Sequence, residues 1–208
     1  MDEKKDFRKE TKQYFDKQAK DYDNSADGKF VRCLYEEIVK RAVSFPAETV
    51  LDLGCGNGNI IGLLKKEKEA RYYGVDLSDE MIQEAGKRLG EDVRLETADA
   101  ADLPFSDEYF DLIICNASFH HYTNPEKAVS EMRRVLKTGG TLILGDPTIP
   151  GKWLRKFLNW GLHQGNTGDH RIYGKQDIVP LFTGQGFEVK NWKYIRCRTF
   201  VFNAVKKK

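Results

Sequence analysis

Residues 49–59 read Thr-Val-Leu-Asp-Leu-Gly-Cys-Gly-Asn-Gly-Asn, and their reading decides the fold. Val50, Leu51 and Leu53 predict a short buried strand. Gly54, Gly56 and Gly58 then predict a turn without side chains on alternate residues. Ile60, Ile61, Leu63 and Leu64 open a helical pattern. Strand, glycine turn and helix make the ligand-binding corner of an open α/β sheet. Glycine lets backbone approach a ligand closely, and a helix start offers unpaired N–H groups to an anionic one. A second feature stands at the spacing this corner requires. Residues 71–77, Arg-Tyr-Tyr-Gly-Val-Asp-Leu, predict the next strand, and Asp76 follows Gly58 by 18 residues. An acidic residue at about that distance is where a ribose diol is held.

The glycine spacing is Gly-x-Gly-x-Gly, with Asn59 where a dinucleotide fingerprint has its last glycine. Val50 to Gly58 closely resembles the first motif of the class I S-adenosylmethionine-dependent methyltransferases. The resemblance implies an α/β fold. Its Rossmann-like open sheet, of order 3-2-1-4-5-7-6, is mostly parallel with an antiparallel C-terminal strand and has helices on both faces. S-adenosyl-L-methionine is the implied cofactor. By this resemblance Asp52, Gly54, Cys55, Gly56 and Gly58 surround the cofactor's amino-acid half, and Asn116 meets its methionine end. Asp76 and Leu77 sit at the ribose, and Asp99 and Ala100 at the adenine. Read alone, Asp52 and Asp99 could equally be carboxylates that stabilise their own turns.

Composition sets outer limits. With 208 residues, 40% hydrophobic and 32% charged, the chain suits one globular domain. Its expected parts are an N-terminal helical lid (1–45), a cofactor-binding core (46–146), and a substrate-side segment with a C-terminal hairpin (147–208). No apolar run reaches the roughly 18–20 residues of a membrane helix. Met1 to Asp6 is too charged for a signal peptide core, so the expectation is a cytoplasmic protein without membrane insertion. Cys33, Cys55, Cys115 and Cys197 form no CxxC pair, and no metal is expected. Charge is uneven: residues 151–208 carry 12 Lys/Arg against 3 Asp/Glu, and residues 1–150 carry 22 against 29. A basic end can meet an anionic substrate or RNA, but a solvated basic surface with the Lys206-Lys207-Lys208 tail explains it more simply.

Tyr14 to Asp23 resembles the lid of small-molecule methyltransferases of the ubiquinone/menaquinone-biosynthesis type, which implies that Tyr22 faces the substrate. Residues 30–43 predict a helix with Val31, Leu34, Ile38 and Ala42 on its buried face. Ser78 predicts the N-cap of the next helix, and Gly90 its end. Phe110 to Cys115 predicts a central parallel strand. Asn116 to Tyr122 lies just past that strand, where ligands gather in open α/β sheets. His120 and His121 are therefore the candidate catalytic residues, able in principle to take an acceptor's proton. A helix-start or packing role is the plainer alternative. Gly139-Gly140 predicts a helix end and tight reversal into strand five. Residues 151–174 are the least legible: Trp153, Phe157, Trp160, His163 and Tyr173 could wall a pocket or pack over the sheet. Residues 187–192 and 194–202 predict an antiparallel pair.

The reading is a methyltransferase acting on a small molecule, with nucleic acid disfavoured as acceptor and the oligomeric state open. The Asn-Pro-Pro-Tyr motif of nucleobase amine methylation is absent. An RNA methyltransferase, a nicotinamide-dependent oxidoreductase and a non-catalytic cofactor-binding protein remain as rivals. No tyrosine is followed four residues on by lysine, which argues against a short-chain dehydrogenase.

Overall fold

The computed structural model describes residues 6–162, 169–195 and 198–208. His163 and Cys197, both noted in the sequence, lie outside the described residues. Seven strands form one sheet: β1 (Thr49–Leu53), β2 (Arg71–Asp76), β3 (Arg94–Thr97), β4 (Phe110–Asn116), β5 (Leu136–Pro147), β6 (Phe187–Ile195) and β7 (Thr199–Lys206). Their order is β3-β2-β1-β4-β5-β7-β6. β1 to β5 pair in parallel, and β7 lies antiparallel between β5 and β6. This is the architecture expected from the sequence.

The central strands are apolar on both faces, as parallel strands covered by helices must be. Alternation divides each strand between two cores. Leu51, Ile113, Cys115, Leu142 and Leu144 join one, under α5 (Pro125–Val135) and α7 (Lys175–Gly184). Val50, Leu112, Ile114 and Ile143 join the other, under α2 (Ala26–Ser44), α3 (Asn59–Leu64) and α4 (Asp79–Leu89). The predicted stripe Val31, Leu34, Ile38 and Ala42 is the buried face of α2. That helix begins at Ala26, ahead of residue 30, because the Ser25 hydroxyl accepts the Gly28 N–H at 3.0 Å. Ser78 and Gly90 cap α4 as predicted.

Three local readings change. Helix α5 ends at Val135, before the glycine pair. Leu136 is buried and already extended, pairing with Phe110, and β5 runs through Gly139-Gly140 across a register irregularity. Gly139, at φ +79°, supplies the left-handed residue of that irregularity. Second, Lys206 is no solvated tail residue. It is 5% exposed, and its Nζ donates to the Leu136 carbonyl at 2.7 Å and to Glu108 at 3.1 Å. Third, α6 (Lys152–Leu162) neither walls a pocket nor packs its aromatics on the sheet. Trp153, Phe157 and Trp160 are 82%, 66% and 67% exposed. Tyr173, by contrast, is buried against Phe119. Within the expected lid (1–45), α1 (Phe7–Gln18) and a 3-10 turn, Ala19–Asn24, pack against α4.

Candidate functional site

A cavity opens at the C-terminal ends of β1, β2 and β4. Asp52, Gly54, Cys55, Gly56, Asp76, Leu77, Asp99, Ala100 and Asn116 all line it, as do Tyr22 and His121. Gly58 and His120 are not in its wall. The three glycines of the turn all have positive φ, but they make room for different things. A Cβ on Gly54 would strike the Ser118 side chain, and one on Gly58 would meet Leu89 Cδ1 at 2.7 Å. Only at Gly56 would it meet nothing within 4 Å. Gly56 is the position where the chain leaves space open toward a ligand. Gly58 leaves room for the packing of α3 on α4.

The polar groups of this cavity divide into satisfied and unsatisfied. Asp76 is held by backbone: Oδ2 accepts the Gly56 N–H at 2.8 Å and Oδ1 the Ser78 N–H at 2.9 Å. Burial nevertheless pushes its pKa up, against those two bonds. Asp99 accepts the Ala101 N–H and pairs with Arg8 of the lid at 3.1 Å. It thus does the turn-stabilising work that was its alternative reading while also facing the cavity. Asp52 is different. It is 1% exposed, and both carboxylate oxygens are buried without a hydrogen-bond partner. Burial, and then the charge of Asp76, push its pKa up to about 8. Asn116 Oδ1 is likewise buried and unpartnered. Buried acceptors are normally bonded, so these oxygens mark where a ligand's donors belong. A cationic amino group on the ligand fits that pair. The donor set therefore fits S-adenosylmethionine: Asp52 and Asn116 would hold its amino-acid end, and Asp76 its ribose hydroxyls.

The lid closes this cavity through polar contacts that sequence reasoning missed. Asp23 accepts from Asn57 Nδ2 at 3.0 Å, Asn59 Nδ2 at 2.8 Å and Arg88 at 2.6 Å. Although burial opposes ionisation, these bonds hold its carboxyl at about 2. Ser78 Oγ donates to Asp16 at 2.6 Å, and Lys12 pairs with Asp79 at 2.8 Å. The asparagines stand inside the glycine turn itself, which was the available signal for this anchor.

A second cavity adjoins the first. Phe15, Tyr22, Val31, Ala117 and His121 line both. Ala117 has a left-handed backbone, φ +50°, at the junction, the kind of strain that gathers at binding sites. Tyr22 stands between the two, its phenol pushed up by burial. His120 lies in the second cavity. Its Nδ1 is 2.9 Å from Asp146 Oδ1 and its Nε2 is 3.4 Å from Asp169. Burial disfavours the charged ring, but Asp146 and Asp169 outweigh it and raise its pKa to about 10. Asp146 thus orients the His120 ring in the wall of the second cavity. Asp146 ends β5, a position where ligands gather in such sheets and where it could have been foreseen. Asp169 lies in the illegible stretch and carried no signal.

Comparison with known proteins agrees with this geometry. The methyltransferase domain family matches residues 51–144. An uncharacterized methyltransferase of Geobacillus is 30% identical over 84% of this chain and 88% of its own length. The demethylmenaquinone methyltransferase of Thermotoga maritima is 32% identical over 74% of this chain and 76% of its own. Coverage is uneven: a transposon protein of Streptomyces fradiae, 38% identical over 49% of this chain, is matched over only 31% of its length. Among solved structures, the methyltransferase bound to the Haloferax volcanii Trm112 activator superposes with TM-score 0.81 at 20% identity, covering 95% of this chain and 98% of that one. A Burkholderia thailandensis 1,6-didemethyltoxoflavin-N1-methyltransferase with bound S-adenosylhomocysteine gives 0.75 at 18% identity, covering 97% and 89%. With the glycine turn, the unpartnered Asp52 and relatives matched over most of their length in agreement, the chain belongs to the class I S-adenosylmethionine-dependent methyltransferases.

Proposed function

We propose that this methyltransferase acts on a small-molecule acceptor held in the second cavity, under the lid. The observation that carries the reading is the pair of adjoining cavities with a shared wall of Phe15, Tyr22, Ala117 and His121. The second is lined by aromatic and aliphatic side chains with a few polar groups. That is the make-up of a small-molecule site. Asp16 and Asp23 tie the lid over the first cavity. The toxoflavin-type neighbour is an example of the same fold acting on a small molecule.

The bound cofactor supplies a methyl group on a sulfonium, a cationic leaving group that makes a strong base unnecessary. The chain's residues supply position and dryness. Asp52, Asn116 and Asp76 fix one reactant. Tyr22 and Phe15 close over the junction, and Ala117 keeps the passage between cavities clear. The test is methyl transfer from S-adenosylmethionine carrying a deuterated methyl group, offered to a library of small molecules, total RNA and whole protein. Label recovered in a small molecule supports the reading, and label in RNA or protein alone overturns it. Ile149→Trp, which fills the second cavity, should lower acceptor turnover by at least about tenfold and leave cofactor affinity unchanged.

A further inference from the structure

The wall of the second cavity carries a cluster of titratable groups. His120 and His121 stand side by side, with ring centroids 3.8 Å apart. Asp169 faces both: its Oδ1 is 3.4 Å from His120 Nε2 and 3.4 Å from His121 Nδ1. The ligand atoms these residues offer all lie within 4.8 Å of one another. A tetrahedral ion with bonds of about 2.0–2.2 Å sets its ligand atoms about 3.3–3.6 Å apart. Both distances to Asp169 already match that edge.

Two further observations point to a cation here. Asp146 lies behind His120, fully buried, with Oδ1 2.9 Å from Nδ1. This turns Nε2 toward the cavity, the arrangement by which a carboxylate orients a metal-binding imidazole. The other oxygen of Asp146 is buried without a hydrogen-bond partner. The position of Asp169 is also fixed: the backbone N–H groups of His170 and Arg171 both donate to the His120 carbonyl at 2.9 Å.

We propose that His120, His121 and Asp169 bind one divalent transition-metal ion of the zinc class, with Asp146 as the positioning carboxylate. Two imidazoles and one carboxylate suit such an ion, whereas magnesium and calcium require oxygen ligands throughout. Three protein ligands leave a coordination position facing the cavity. An acceptor with an oxygen, nitrogen or sulfur donor would take it and be oriented there. This last step rests on the reading of the cavity as the acceptor site; metal binding itself does not.

The experiment uses the full chain, stripped with a chelator and titrated with Zn2+, Co2+ and Mg2+. The expected result is one Zn2+ per chain, a Co2+ form with visible absorption of a low-coordinate nitrogen and oxygen site, and much weaker Mg2+ binding. Asp169→Asn and His121→Ala should each weaken Zn2+ binding at least tenfold, and Asp146→Asn by about 10–100-fold. Circular dichroism confirms that each variant is folded, and Asp169, 31% exposed, is the substitution least able to disturb the core. Zinc binding to Asp169→Asn as tight as to wild type, or Mg2+ binding as tight as Zn2+, would show an ion pair only and overturn the proposal. Cofactor affinity and label transfer are measured on the same samples. Small-molecule transfer by a protein that binds no zinc sinks the metal site alone. A zinc-loaded protein that labels only RNA or protein sinks the acceptor reading alone.

Discussion

At the scale of single residues, Asp52 ties cofactor binding to protons. Burial holds its pKa at about 8, so in the free protein at pH 6.5 it is mostly neutral. Pairing with a cationic amino group requires the carboxylate. Binding should therefore release up to one proton per cofactor at pH 6.5, and none well above pH 8. Calorimetry in buffers of differing ionisation enthalpy reads this directly, and Asp52→Asn should abolish the release while weakening affinity. The same shift acts on stability. A folded pKa raised above the unfolded value gives stability that is present at low pH and lost as pH rises toward 8. Asp52→Asn should flatten that part of the free protein's pH–stability curve. The place of Asp52 in the cavity wall was legible from the motif. What each glycine does was not, because it depends on which distant side chain stands where a Cβ would be: Ser118 for Gly54, Leu89 for Gly58 and open space for Gly56. His120 was legible as a site residue for its place past β4, yet its chemistry depended on Asp146 and Asp169, 26 and 49 positions away.

At the scale of elements, the lid behaves as one unit joined to the glycine turn. Asp23 is its main tie, meeting Asn57, Asn59 and Arg88 at once. Asp23→Ala should speed cofactor dissociation and raise hydrogen exchange over residues 7–24, with exchange in β1 and β4 unchanged. The held-down pKa of Asp23, about 2, gives the sign of its pH dependence. A depressed carboxyl stabilises above its unfolded value and loses that contribution only as pH falls toward 2. The tie is thus intact throughout the range in which Asp52 titrates, and the two effects separate by pH. Helix α2 was readable because its apolar stripe repeats with helical period and packs on the sheet. Helix α6 was not, because its aromatics leave the core altogether, and no periodicity tells an exposed apolar face from a packed one.

At the scale of the whole molecule, the two cores and the strand order follow from β1, β4 and β5 being apolar on both faces, which forces helices onto each side. The cofactor cavity lies where the lid, the glycine turn and the ends of β2 and β4 converge, so a bound ligand fastens parts that are far apart in sequence. A ligand that binds only the folded chain stabilises it by about 2.7 kcal/mol at a hundred times its Kd. For a chain of this length each kcal/mol moves the midpoint by about 2–4 °C. S-adenosylmethionine or S-adenosylhomocysteine at that concentration should raise Tm by roughly 5–10 °C. NAD at the same concentration should produce no shift, because Asn59 stands where a dinucleotide turn needs its last glycine and bonds Asp23 of the lid instead. Scanning calorimetry with the three ligands in parallel decides it. A shift with NAD alone would mean that the turn at residues 54–58 accepts a pyrophosphate, and that the unpartnered Asp52 serves some end other than holding an amino group.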